Sequence, residues 1–225
     1  MNPRHEIEIK LRVERRRALE ERLSLLGFRE LRGRHFESNC LFDFSDRRLY
    51  KAGRLVRLRW ANGEGILTFK GPAVRSGLYK IREEVETRVE DASLLAKILE
   101  GIGLIEVFRY EKYRTVYGRV GPEFEGHRGG QADARGNLRR SLRPEGPKLL
   151  YDETPIGDYV ELEGPERWID EIARQLGYGR GEYITASYGR LYREHCESRG
   201  KKSGDMLFAT PKRASRPGPK LARKS

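Results

Sequence analysis

Cysteine is scarce: Cys40 and Cys196 are the only two in 225 residues. Two thiols so far apart exclude a disulfide framework and a zinc knuckle, and they read as plain thiols in a reducing compartment. Long apolar runs are missing as well. A membrane-spanning helix needs roughly 20 consecutive apolar residues, and no stretch comes near that length. The N-terminal segment is charged from Arg4 onward and lacks the apolar heart of a signal peptide. These absences predict a cytoplasmic chain with no membrane partner. Apolar residues make up only 37% against 36% charged, so any core has to be economical. The length still suits one domain with appendages.

Acidic residues are outnumbered, but unevenly. The formal net charge is +12; from Arg199 to Ser225 nine lysines and arginines stand against Asp205, so this tail carries +8 and the rest only +4. A basic globular surface for nucleic acid is therefore not supported, although the tail can touch polyanions nonspecifically. The stretch Arg119 to Lys148, with GHRGGQADARGN, has almost no aliphatic periodicity and reads as a flexible insertion. The domain expected from these boundaries spans 1–197, with the insertion at 119–148 and a basic tail at 198–225. In that tail PKRASRPGPK predicts disorder, while Met206-Leu207-Phe208 just before it suits docking on the domain. Neither segment is expected to carry chemistry.

What the sequence does have is alternation. Side chains of a strand point to opposite faces in turn, so Glu6, Glu8 and Lys10 share one face and Ile7, Ile9 and Leu11 the other. The pattern returns in Tyr159-Val160-Glu161-Leu162-Glu163. Each acidic strand is followed by helical spacing, over Glu14 to Leu26 and over Glu166 to Leu176, closed by Gly27 and Gly177. The two units look like diverged halves. Further helices are predicted over Asp91 to Leu99, with Asp91 as cap, and over Ile184 to Cys196. Strand alternation occupies Phe36 to Phe44, Arg54 to Trp60, Gly65 to Lys70, Leu78 to Val89, Tyr110 to Arg119 and Leu149 to Asp152. With the two acidic strands this makes about eight, enough to close a barrel.

The alternation also says which way such a barrel faces. Arg57 and Arg59 alternate with Val56 and Leu58, Arg82, Glu84, Glu86 and Arg88 with Ile81 and Val85, and Lys112 and Arg114 with Tyr113 and Thr115. If amphipathic helices cover the apolar faces outside, the charged faces line the interior. The expected fold is α+β, an eight-stranded antiparallel barrel with helices packed outside and a polar tunnel within. The inward set comprises the cations Lys10, Arg57, Arg59, Lys70, Arg82, Lys112 and Arg114, and the carboxylates Glu6, Glu8, Glu84, Glu86, Glu161 and Glu163. A triphosphate with Mg2+ or Mn2+ reconciles both signs, because arginine and lysine hold phosphoryl oxygens while carboxylates hold the bridging ion.

At this point the chain resembles the CYTH domain, the triphosphate tunnel metalloenzymes. EIEIK fits the ExExK signature, and the series continues through RLVRLRW, LTFKGPA, REEVE, FRYEKYRTVY, PIGDYVELEG and ASYGRLY, over roughly residues 4 to 195. KGPA, EKYR and the Gly-Asp-aromatic-x-Glu segment are most similar to the class IV adenylyl cyclase branch. The resemblance implies that Glu6, Glu8, Glu161 and Glu163 hold metal, with Glu84 and Glu86 as additional ligands. It implies that Lys10, Arg57, Arg59, Lys70, Arg82, Lys112 and Arg114 hold the triphosphate, and it sets Asp152, as a metal ligand, and Arg190, as a substrate contact, near the tunnel mouth. Lys10 is the expected catalytic residue, since neighbouring cations would lower its pKa. The family often carries tyrosine before Phe-Asp in the second strand; here Leu41 stands there, leaving that work to Lys10 or to water at the metal ion.

These readings imply a metal-dependent hydrolase of inorganic or organic triphosphates such as tripolyphosphate, thiamine triphosphate or a nucleoside triphosphate. A class IV adenylyl cyclase making cyclic AMP and pyrophosphate is the alternative, and a noncatalytic polyphosphate- or nucleotide-binding module a further one. The expected partner is a small-molecule triphosphate, and pairing with a second copy of the chain is left open.

Overall fold

The computed structural model of the chain describes residues 4–119 and 146–209. Its strands are β1 (Arg4–Val13), β2 (Phe28–Phe44), β3 (Leu55–Ala61), β4 (Glu64–Ser76), β5 (Tyr79–Val89), β6 (Leu104–Arg119), β7 (Lys148–Thr154) and β8 (Gly157–Glu163). They close a barrel in the order β1-β5-β4-β3-β2-β6-β7-β8, every neighbour antiparallel. The expected fold class is what is found.

The hydrophobic core lies outside the barrel. Helices α1 (Arg16–Leu25) and α4 (Glu166–Gln175) bring Leu19, Leu23, Ile169 and Ile172 onto the outward residues Ile9, Leu11, Val160 and Leu162. A second cluster packs Ala92, Ala96 and Leu99 of α3 (Ala92–Gly101) on Cys40, Phe42 and Leu58. With the apolar faces thus covered, the interior is left to charge, and Glu8, Lys10, Arg57, Arg59, Lys112, Arg114 and Glu161 are all buried there. The inside-out alternation follows from where the helices sit.

The internal repeat has a structural counterpart. β1 leads into α1 and β8 into α4, the two strands pair side by side, and each helix is followed by a glycine of positive φ, Gly27 at 76° and Gly177 at 89°. Glycine takes that left-handed conformation without a Cβ clash. Asp91 caps α3, accepting from the Leu94 N–H at 2.8 Å. The last helix, α5, spans Tyr188–Glu197 and starts four residues later than its periodicity suggests, because Ile184 is engaged elsewhere. Its backbone exchanges hydrogen bonds of 2.8 and 2.9 Å with Lys10, tying the approach to α5 onto β1.

Several strands are longer than expected, β4 among them, which runs on past Lys70 to Ser76. β2 begins at Phe28 and β6 at Leu104, since the overhang from Arg29 to Arg34 is exposed on both faces and shows no apolar alternation. A short helix, α2 (Arg48–Lys51), was not foreseen. Met206 docks as expected: fully buried, it donates from its N–H to Arg109 O and accepts from Glu111 N–H, both at 2.9 Å, extending the sheet at β6. Most of the expected insertion, residues 120–145, and most of the basic tail, 210–225, lie outside the described residues. Among the described residues no helix is long and apolar enough to cross a membrane.

Candidate active site

Strand register assembles an acidic cluster. β1 and β8 pair so that Glu8 lies opposite Glu163 and Lys10 opposite Glu161, while β5 sets Arg82 against Glu6 and Lys80 against Glu8. Like charges directly opposite each other are unfavourable unless cations intervene. Carboxylate oxygens of Glu6, Glu8 and Glu163 lie within 4.8 Å of one another. Lysines approach from the sides: Lys70 meets Glu6 at 3.0 Å, Lys80 meets Glu8, and Lys148 meets Glu163 at 2.8 Å. Burial pushes the Glu8 carboxyl up, but Lys10 and Lys80 outweigh it and lower its pKa to about 2. Three hard carboxylate donors converging in a largely buried site fit Mg2+ or Mn2+.

The cations face one cavity together with two members of this cluster. Lys10, Arg57, Arg59, Lys70, Arg82, Lys112 and Arg114 all line it, as Glu8, Glu161 and Glu163 do. Four of the expected carboxylates pair with the cations and stand apart from the Glu6, Glu8 and Glu163 group. Glu161 holds Lys10 at 3.1 Å and also meets Arg114. Glu84 pairs with Lys70 at 3.0 Å, and Glu86 accepts from Arg57 at 3.0 Å and from the Thr68 hydroxyl at 2.8 Å. Asp152, fully buried, accepts from Lys112 (2.9 Å), from Arg114 twice (2.6 and 2.7 Å) and from the Tyr188 hydroxyl (2.7 Å). Its oxygens thus hold these cations and the phenol, and Asp152 stands apart from the Glu6, Glu8 and Glu163 group. Arg190 is also displaced from expectation: it is exposed on α5, bonded to Glu194 at 2.8 Å and away from the cavity.

The expected lowering of the Lys10 pKa is reversed. Burial does push the ammonium toward neutrality, but Glu161 and Glu8 flank it and raise its pKa above the ordinary value. The like charges visible in sequence are offset by carboxylates that the register brings closer. Its ammonium is held between the two carboxylates, 3.1 Å from Glu161 and 3.6 Å from Glu8.

A family model for the CYTH domain matches residues 4–188. The chain belongs to the CYTH domain family. A Methanocaldococcus jannaschii protein named as a candidate adenylate cyclase is 30% identical over 188 residues, 83% of this chain and 97% of that relative. Among solved structures, a candidate adenylate cyclase from Vibrio parahaemolyticus superposes with a TM-score of 0.63 at 16% identity, covering 84% of this chain and 98% of its own. A candidate adenylyl cyclase from Hippeastrum, described as having a dominant triphosphatase activity, superposes with a TM-score of 0.51 at 18% identity, covering 88% and 97%. At such identities these structures share the fold.

The CYTH tunnel also holds residues that the sequence reading passed over. Lys80 continues the alternation Arg82, Glu84, Glu86 by one more step and was legible there. Glu37 and Asn39 lie on the inner face of β2, two residues apart and both buried, on a segment recognised as a strand but not read for its inward set. Tyr188 comes from α5 and sits beneath two cations, 5.3 Å from Lys10 Nζ and 5.1 Å from Lys112 Nζ; no strand periodicity announces it. Leu41 lines the cavity with Phe108, its cross-strand partner, and Tyr110, so the lining is not charged throughout. Burial raises the Tyr110 phenol, but Arg57, Lys112 and Arg59 outweigh it and lower its pKa.

Proposed function

We propose that this CYTH tunnel hydrolyses the terminal phosphoryl group of a triphosphate with Mg2+ or Mn2+. One observation carries the reading: the carboxylates of Glu6, Glu8 and Glu163 converge, and two of them, Glu8 and Glu163, line one cavity together with the buried Arg57, Arg59, Lys112 and Arg114. An anion site alone would be weakened by those carboxylates, and a cation site alone by those cations. A divalent ion bound at the cluster supplies charge neutralisation and alignment for in-line attack on phosphorus. The chain's own groups do the rest. Arg57, Arg59, Lys112 and Arg114 hold phosphoryl oxygens, Asp152 and Glu161 keep Lys112, Arg114 and Lys10 in place, and burial of these charges strengthens each contact. Lys10, kept protonated, faces the phosphoryl chain as a donor between metal cluster and cation wall.

A second reading, cyclisation of a nucleoside triphosphate, is favoured by the uncharged part of the lining. Phe108 and Tyr110 stack at 5.8 Å and 20°, beside Leu41 and Leu55, offering a surface on which a base could rest. The test incubates the purified chain with tripolyphosphate, thiamine triphosphate and ATP plus Mg2+ or Mn2+, then separates the products. Orthophosphate is the expected product. Cyclic AMP with pyrophosphate would move the assignment to the cyclase, and no product from any substrate would defeat both enzymatic readings.

A further inference from the structure

The inner face of β2 carries two buried groups that remain incompletely satisfied. Asn39 is fully buried; its Oδ1 accepts from Arg59 Nε at 3.0 Å, while Nδ2 has no hydrogen-bond partner among the described residues. Glu37 is 2% exposed, with Oε1 3.4 Å from Arg59 Nη1 and 3.5 Å from His35 Nε2, and Oε2 3.6 Å from Lys112 Nζ without a hydrogen bond. Burial pushes the Glu37 carboxyl up, but Arg59, Lys112 and Arg114 outweigh it and hold it well below the usual carboxylate range. Native interiors rarely leave an amide and a carboxylate so loosely paired, and where they do a functional reason is expected.

Arg59 is the group that both residues touch. The other cations of the wall are fixed by close carboxylates: Lys10 by Glu161 at 3.1 Å, Arg57 by Glu86 at 3.0 Å, Arg114 by Asp152 at 2.6 Å. Arg59 has instead a neutral amide on Nε and a carboxylate no nearer than 3.4 Å. Its guanidinium is thus anchored along one edge while its charge is only weakly offset. A carboxylate at position 39 would anchor it equally well and neutralise it.

We propose that Asn39, backed by Glu37, is a positioning residue that aims Arg59 at a phosphoryl group of the bound anion. The inference rests on the reading of the tunnel as a triphosphate site. Fixing Nε, with Glu37 only loosely holding Nη1 at 3.4 Å, leaves the terminal nitrogens as a fork for phosphoryl oxygens.

The test uses the full chain with Mn2+ and tripolyphosphate. Dissociation constants come from calorimetry, KM and kcat from orthophosphate release, and folding from thermal melts. Asn39→Leu keeps the size and removes the acceptor. It is expected to raise both the dissociation constant and KM by about tenfold, with kcat changed far less. Arg59→Ala is expected to do at least as much, and the double variant no more than Arg59→Ala alone, because a residue acting through Arg59 has nothing left to position. Unchanged binding in Asn39→Leu, or additive losses in the double variant, would overturn the proposal. If the leucine variant does not fold, Asn39→Ala enters the same cycle with the same outcomes. A wild-type chain that binds tripolyphosphate without cleaving it defeats the hydrolase reading and leaves the binding arm to decide on Asn39. A wild-type chain that binds none defeats both.

Discussion

Lys10 shows how a residue's role depends on neighbours that its own strand does not reveal. Its adjacent cations pointed to a depressed pKa, yet Glu161, brought across from β8, reverses the sign together with Glu8 of its own strand. A group whose folded pKa is raised keeps its contribution to stability through neutral and mildly alkaline pH, so Lys10 gives no titration near neutrality. Glu8 behaves oppositely. Its pKa falls from the ordinary 4.5 to about 2, so its contribution is present above 4.5 and lost as pH falls toward 2. That shift corresponds to something on the order of 3 kcal/mol. Thermal melts of the metal-free protein are expected to drop steeply across this acid window, and Glu8→Gln to flatten the drop. An equally steep loss in the variant would remove Glu8 as its source.

Elements were legible wherever alternation or helical spacing was unbroken. β3 and β5 fall within a residue of their expected bounds, β8 begins two residues early, and α4 ends one residue early. The missed parts share a cause: the β2 overhang has no buried face to imprint a period, and α5 gave up its first turn to backbone pairing between Ile184 and Lys10. Packing between elements was not legible at all. Gly65 on β4 illustrates it, since a Cβ there would sit 2.7 Å from Ala92 Cβ and 2.9 Å from Val89 O, where α3 crosses the barrel. Gly65→Ala is expected to destabilise the fold by about 1–3 kcal/mol through overpacking. Denaturant unfolding would show it, and an unchanged midpoint would contradict this account of how α3 is seated.

For the whole molecule, the sequence announced an inverted barrel; all the expected inward cations line one cavity, but of the carboxylates only Glu8, Glu161 and Glu163 do. What it could not divide was the labour among the carboxylates. Glu6, Glu8, Glu161 and Glu163 look alike along the chain, and only the offset between β1 and β8 sends Glu163 to the metal cluster and Glu161 to Lys10 and Arg114. Asp152 and Glu37 likewise acquired their partners from strands distant in sequence. The central claim is that the tunnel cleaves a triphosphate only when its acidic cluster holds a divalent ion. Phosphorus NMR of tripolyphosphate incubated with the protein tests this most directly. Orthophosphate and pyrophosphate signals should grow with Mg2+ or Mn2+, stay absent with a chelator, and be lost in Glu163→Gln. Cleavage that continues at the same rate in the chelator, or in that variant, would contradict the account.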